Sequence, residues 1–121
     1  MNDQFRKDLA LIRKDNQQSK AFDSKINTVV IAGPGSGKTQ VIALKAMTLI
    51  KTSIEKPAGL ALISYSRETV QELRKRLKAY GYVANSRDFI GTVHGFSLLH
   101  VIIIWAFVSK VQYSLSDQIA T

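Results

Sequence analysis

The stretch "VVIAGPGSGKT", Val29 to Thr39, constrains this chain more than any other. A β-branched apolar run breaks into glycines and resumes with Lys-Thr, the order that takes a buried strand through a tight loop into a helix. Such a turn gathers backbone N–H groups and the positive end of a helix dipole around one point, where a phosphate group can sit. Gly33, Gly35 and Gly37 permit the close approach of backbone to phosphate, with Pro34 and Ser36 between them. Lys38 is expected to reach the outer phosphates as a point charge, and the Thr39 hydroxyl to help hold Mg²⁺. The match to the phosphate-loop pattern runs from Ala32 through four variable residues to Gly37, Lys38 and Thr39, with alanine in place of the first glycine. The expectation is nucleoside triphosphate binding. The structural alternative is a Gly-Pro-Gly turn that only links a strand to a helix.

The flanks place this loop in an α/β chain. Phe5, Leu9 and Ile12 recur at helical spacing, so a first helix is expected from Gln4 to Ile12. A second, short helix is expected from Asp15 or Asn16 through Gln18, Ala21 and Phe22, before the turn residues of "DSKIN". Thr28 to Ala32 then reads as a strand covered on both faces, and Lys38 to about Ile50 as a helix packed on a sheet. "KTSIEKPAG", with Pro57 and Gly59, reads as a surface loop, and "LALISY", Leu60 to Tyr65, as a second strand. Ser66 can cap a helix from Arg67 to Tyr80, whose apolar stripe is Val70, Leu73 and Leu77, with Glu72 four residues before Arg76 and Gly81 ending the run. "FIGTVHGF" reads as a third strand or a strand-to-loop segment. Strand, helix, strand, helix, strand is the pattern of a parallel sheet covered by helices. "VIIIWAFV", Val101 to Val108, reads as a buried strand or an interface, short of the roughly 20 residues of a membrane-spanning helix.

With 121 residues, the chain is sized for one domain or a piece of one. Seventeen Lys and Arg against nine Asp and Glu give a net charge of +8, which favours polyanionic partners unless it is only a solvated basic surface. Cysteine is absent, which removes disulfides and cysteine-ligated metal, so no structural metal is expected. The N-terminus lacks the continuous apolar stretch of a secretory signal. A cytoplasmic protein without membrane contact is the resulting expectation.

"AGPGSGKT" is narrower than the general pattern and resembles the UvrD/Rep-like superfamily-one DNA helicases, P-loop NTPases with a RecA-like sheet. Upstream, "QQSKAF" puts Gln18 and Ala21 where that family carries its adenine-reading glutamine motif. Downstream, "ISYSRETVQELRKRL" looks like the family segment in which a hydroxyl-aromatic-hydroxyl triplet touches single-stranded DNA, here Ser64, Tyr65 and Ser66. The chemistry suits the role, because hydroxyls and a helix N-terminus bind phosphate while an aromatic ring stacks on a base. "GTVHGF" is similar to the next DNA-contacting segment, with Thr92 and His94 in the matching places. The resemblance covers residues from about 15 to 100 and implies ATP and Mg²⁺ as ligands and single-stranded DNA as partner. Two positions depart from it. Gln40 follows the Lys-Thr pair where many relatives have Arg, which puts base stacking there in question. Arg67 replaces a frequent Asn and keeps affinity for phosphate.

Family members hydrolyse ATP with an Asp-Glu pair at the end of an apolar strand, which holds Mg²⁺ and orients water. After the loop, the carboxylates here are Glu55, Glu68, Glu72, Asp88 and Asp117, and none forms such a pair. The arginine finger and second motor domain that the resemblance leads one to expect are not found in the sequence either. The reading is therefore an incomplete motor domain, either excised or truncated. It has a helical lead-in over 1–27, a phosphate-loop core over 28–100 and a divergent end over 101–121. Lys38 and Thr39 are the residues placed for catalysis, and the missing remainder of the helicase is an expected partner. Two alternatives stay open: a basic DNA-binding remnant that ignores nucleotide, and a small phosphate-loop kinase.

Overall fold

The computed structural model describes residues 1–119 apart from 53, 56 and 57, with side chains described as far as Ser109. Pro57 of the expected surface loop lies outside the described residues, as does the side chain of Asp117. The elements in chain order are α1 (Asp3–Ile12), α2 (Asn16–Asp23), α3 (Lys38–Thr52), β1 (Ala61–Ser64), α4 (Arg67–Ala79), β2 (Phe89–Thr92) and α5 (Val93–Ile119).

Each of the first four helices begins or packs for a reason visible in its residues. Asn2 caps α1 by accepting the Phe5 N–H at 3.0 Å, and its amide donates to the Ala79 carbonyl at 2.7 Å, tying the start of α1 to the end of α4. Asp15 caps α2 through bonds from the N–H groups of Gln17 and Gln18. Ser66 caps α4, accepting the Thr69 N–H at 3.2 Å, and the run ends at Gly81 with φ of 89°. Between these helices lies the core: Phe5 and Ile12 from α1, Val41, Ala43, Leu44, Ala46 and Met47 from α3, and Leu73, Leu77 and Tyr80 from α4 and its cap. Phe5 and Tyr80 meet edge to face at 5.6 Å. The Tyr80 hydroxyl donates to Asp8 at 2.6 Å, and burial, reinforced by that carboxylate, pushes its pKa up.

Among the described residues the sheet is parallel and has two strands, with Ala61 opposite Phe89 and Ser64 opposite Thr92. Helix α4 makes the crossover between them, so the carboxyl ends of both strands open on the same side. At the opposite end Asp88 joins the strands. Its carboxylate accepts the Leu60 N–H at 2.9 Å, the Tyr82 hydroxyl at 2.9 Å and the Asn85 amide at 2.7 Å. Burial opposes its charge, and these bonds outweigh burial, holding its pKa below the ordinary value.

Two expectations fail. Thr28 to Ala32 is not a strand. It pairs with no strand among the described residues, and Val29 and Ile31 are 87% and 95% exposed. A strand of this composition needs a neighbour on its edge and cover on its faces. The β1–β2 ladder ends without it, and the segment is tied to itself instead, through the Ser24 and Thr28 hydroxyls and the Ile26 carbonyl. "VIIIWAFV" is neither a strand nor buried. It continues α5, and Trp105 is 70% exposed. The helix is set at its start, where Thr92 Oγ1 accepts the Gly95 N–H at 3.1 Å and the Phe96 ring meets Phe89 edge to face at 5.1 Å and His100 at a tilt at 4.0 Å. Once begun there, an apolar run without a strand partner continues as helix, satisfying its own backbone. No helix among the described residues is long and apolar enough to cross a membrane.

Candidate nucleotide loop and strand-end surface

The glycine loop lies between the exposed segment and α3. Gly35 and Gly37 have φ of 72° and 78°, in the left-handed region open to glycine. Gly37 is doubly constrained, because a Cβ there would stand 2.9 Å from the Gln18 amide nitrogen. That amide donates to the Ser36 carbonyl at 2.9 Å, so α2 and the Asp15 cap fix one wall of the loop. The glutamine expected to read a base is thus spatially joined to the phosphate loop, and its NH₂ group braces the loop backbone.

Lys38 opens α3 and turns back over the loop. Its ammonium donates to the carbonyls of Ala32 at 2.5 Å and Gly33 at 2.7 Å, with the Ser36 hydroxyl at 3.4 Å. The charge therefore sits over residues 32–36 of the loop that leads into α3. Space beside Gly33 and Gly35 is open, with nothing within 4 Å of a Cβ placed at either. Pro34 is exposed at the tip, and Thr39 and Gln40 are half-buried in the first turn of α3. A cation, a helix N-terminus and open backbone suit a phosphate anion. Among the described residues no cluster of His, Asp or Glu could hold a metal alone. Mg²⁺ would rest on the Thr39 hydroxyl and on oxygens of the bound phosphates, a division of ligands common for this ion.

The second group of expected residues gathers at the carboxyl ends of β1 and β2, where open α/β sheets bind ligands. The Ser64–Thr92 register brings the two segments side by side. Tyr65 is 92% exposed, its ring presented to solvent. The flanking hydroxyls are engaged locally. Ser64 Oγ accepts the Ser66 N–H at 3.2 Å, and Ser66, besides capping α4, donates to Glu68 at 2.7 Å. That bond lowers the Glu68 pKa. Arg67 and His94 are exposed, and His94 stands in the first turn of α5, not in a loop. A hollow of about 380 Å³ opens here, lined by Arg67, Arg74, Ile90, Thr92 and Gly95 among others. Arg74 was not singled out from the sequence. The signal available was its position seven residues after Arg67, on the same side of α4.

The arrangement is a mixed α/β domain with a small parallel sheet flanked by helices, consistent with a phosphate-loop or RecA-like arrangement. The model of the UvrD/REP helicase N-terminal domain family matches residues 14–114, and the chain belongs to that family. It is 26% identical over 81 residues to DNA helicase II of Salmonella typhimurium, covering 67% of this chain and 11% of that protein. Against the ATP-dependent DNA helicase SRS2 of Saccharomyces cerevisiae it is 32% identical over 96 residues, 74% of this chain and 8% of the other. The ATP-dependent DNA helicase Rep of Buchnera aphidicola is 32% identical over 71 residues, 58% of this chain and 11% of Rep. The chain thus spans about a tenth of the length of these curated relatives.

Proposed function

We propose that this chain is the ATP-binding, single-stranded-DNA-contacting part of a UvrD/Rep-type helicase, and that alone it binds Mg-ATP with negligible turnover. The observation that carries the reading is the loop itself: Lys38 folded over residues 32–36 at the start of α3, with Gln18 bracing Ser36. In the bound state the Lys38 ammonium exchanges its carbonyl partners for the outer phosphates. Thr39 contributes its hydroxyl to Mg²⁺, and the first turn of α3 faces the anion. Tyr65 offers a stacking face to a base, and Arg67, Thr92 and His94 supply polar contacts to the strand.

Turnover is not expected because no Asp-Glu pair follows an apolar strand. Asp88 stands before β2, at the end of the sheet away from Ser64 and Thr92, and is committed to Leu60, Tyr82 and Asn85. The test is ATP binding with and without Mg²⁺, together with steady-state hydrolysis with and without oligo-dT. Mg²⁺-enhanced binding, with the enhancement lost in Thr39→Ala and no stimulated hydrolysis, is the expected result. Hydrolysis raised by single-stranded DNA would refute the missing-acid argument. Salt-sensitive DNA binding by a chain indifferent to ATP would support the remnant reading instead.

A further inference from the structure

The hollow at the strand ends does not stop there. It shares Arg74, Phe89 and Ile90 with a second hollow of about 670 Å³, which runs past Lys78 to Tyr82, Val83 and Asp88. Together they form one groove between α4 and the segment leading into β2. Arg67, Arg74 and Lys78 stand at intervals of seven and four residues, so they fall on one stripe of the helix and span about 16 Å along it. The helix carboxylates are turned elsewhere. Glu68 and Glu72 lie some 100° and more around the helix from this stripe, Glu68 held by Ser66 and Glu72 paired with Arg76 at 2.7 Å. Asp88, a carboxylate in the lining, is occupied by its three donors. Arg74 gives one N–H to the Ile90 carbonyl at 2.5 Å, which fixes the guanidinium at the middle of the groove and leaves further donors of its fork available. Exposed Val83 and the partly buried Phe89 and Ile90 supply apolar wall.

We infer that this groove carries the phosphate backbone of single-stranded DNA onward from the strand ends, past Arg74 to Lys78, with bases resting against its apolar wall. A cationic rail beside an apolar surface is the combination that holds single strands without reading their sequence. The groove is continuous with the surface of Tyr65, Arg67 and Thr92, and the inference rests on the proposed DNA contact there.

The test is binding of fluorescent oligo-dT to the full chain over a range of salt concentrations, for the unaltered protein, Tyr65→Ala, Lys78→Ala and, as a control off the groove, Lys75→Ala. Lys78 and Lys75 are both exposed positions of α4, so neither change disturbs the core. Loss of one phosphate contact lowers the slope of log affinity against log salt by about 0.7 and weakens binding about five-fold at 0.1 M salt. The inference expects that loss in Lys78→Ala beyond any effect of Lys75→Ala, together with weakening by Tyr65→Ala. If Tyr65→Ala weakens binding while Lys78→Ala matches Lys75→Ala, the groove is refuted and the strand-end contact stands. If Tyr65→Ala has no effect, the strand-end reading fails and the continuation falls with it.

Discussion

Leu44 and Ile31 are both branched apolar residues, one on each side of the glycine loop, and they meet opposite fates. Leu44 is fully buried among α1, α3 and α4, whereas Ile31 is 95% exposed. The same contrast separates the amphipathic helices from α5, whose Val101 to Val108 are all exposed. Burial here follows from the availability of a complementary surface. On the closed side, α1, α3 and α4 present apolar stripes to one another. On the open side, the segment before the loop and α5 are apolar with no such stripe to meet. The loop stands at the boundary, so its rigid support comes from α2 and α3 and not from a strand behind it.

The contrast can be broken by making comparable deletions on both sides. Leu44→Ala is expected to lower stability by about 2–5 kcal/mol, through lost burial and the cavity left behind, measured by urea denaturation. Next in size is Asp88→Asn, which removes the charged acceptor joining the ends of the two strands and should cost about 1–3 kcal/mol near neutral pH. Because the native pKa of Asp88 is lowered, its contribution is present above the ordinary value of 3.8 and is lost as pH falls through the native value. The gap between Asp88→Asn and the unaltered chain should therefore close in acid. A gap independent of pH would remove the carboxylate from the account.

Gly37→Ala comes third. Its positive φ carries about 1–2 kcal/mol of strain for a residue with a Cβ, and the new methyl group meets Gln18, so ATP affinity should fall along with stability. Smallest are Ile31→Ala and Ile103→Ala on the open side, each expected within about 0.5 kcal/mol of the unaltered chain. A loss from either as large as that of Leu44→Ala would mean that its side chain is covered in solution.

The same division explains what was legible in the sequence. Helices α1, α2 and α4 could be read because polar residues mark their period, and for α2 and α4 a cap residue, Asp15 or Ser66, marks the start; α3 could be read from the glycine loop that precedes it. Strand β1 was legible from "LALISY", Leu60 to Tyr65, between turn signals, one residue wider at each end than the observed Ala61–Ser64. The segments 28–32 and 101–108 were not, because a continuous apolar run has no period, and whether it becomes strand or helix is decided by partners distant in sequence. At the candidate site, the spacing from Ala32 to Thr39 is local and could be read directly. The bond from Gln18 to Ser36 crosses 18 positions, and only the family resemblance brought Gln18 to notice. The spacing of Arg74 and Lys78 from Arg67 marks one stripe of a helix, but that the stripe faces a groove depends on the segment leading into β2, which packs beside α4 only in the fold.

The most direct measurement of the central claim is a calorimetric titration of Mg-ATP into the purified chain, with Lys38→Ala titrated in parallel. The account predicts saturable binding by the unaltered chain that is abolished by the substitution, while both proteins retain the same helical content. Equal binding by the two proteins, or none by either while both are folded, would contradict the claim that the loop at the start of α3 is a nucleotide site.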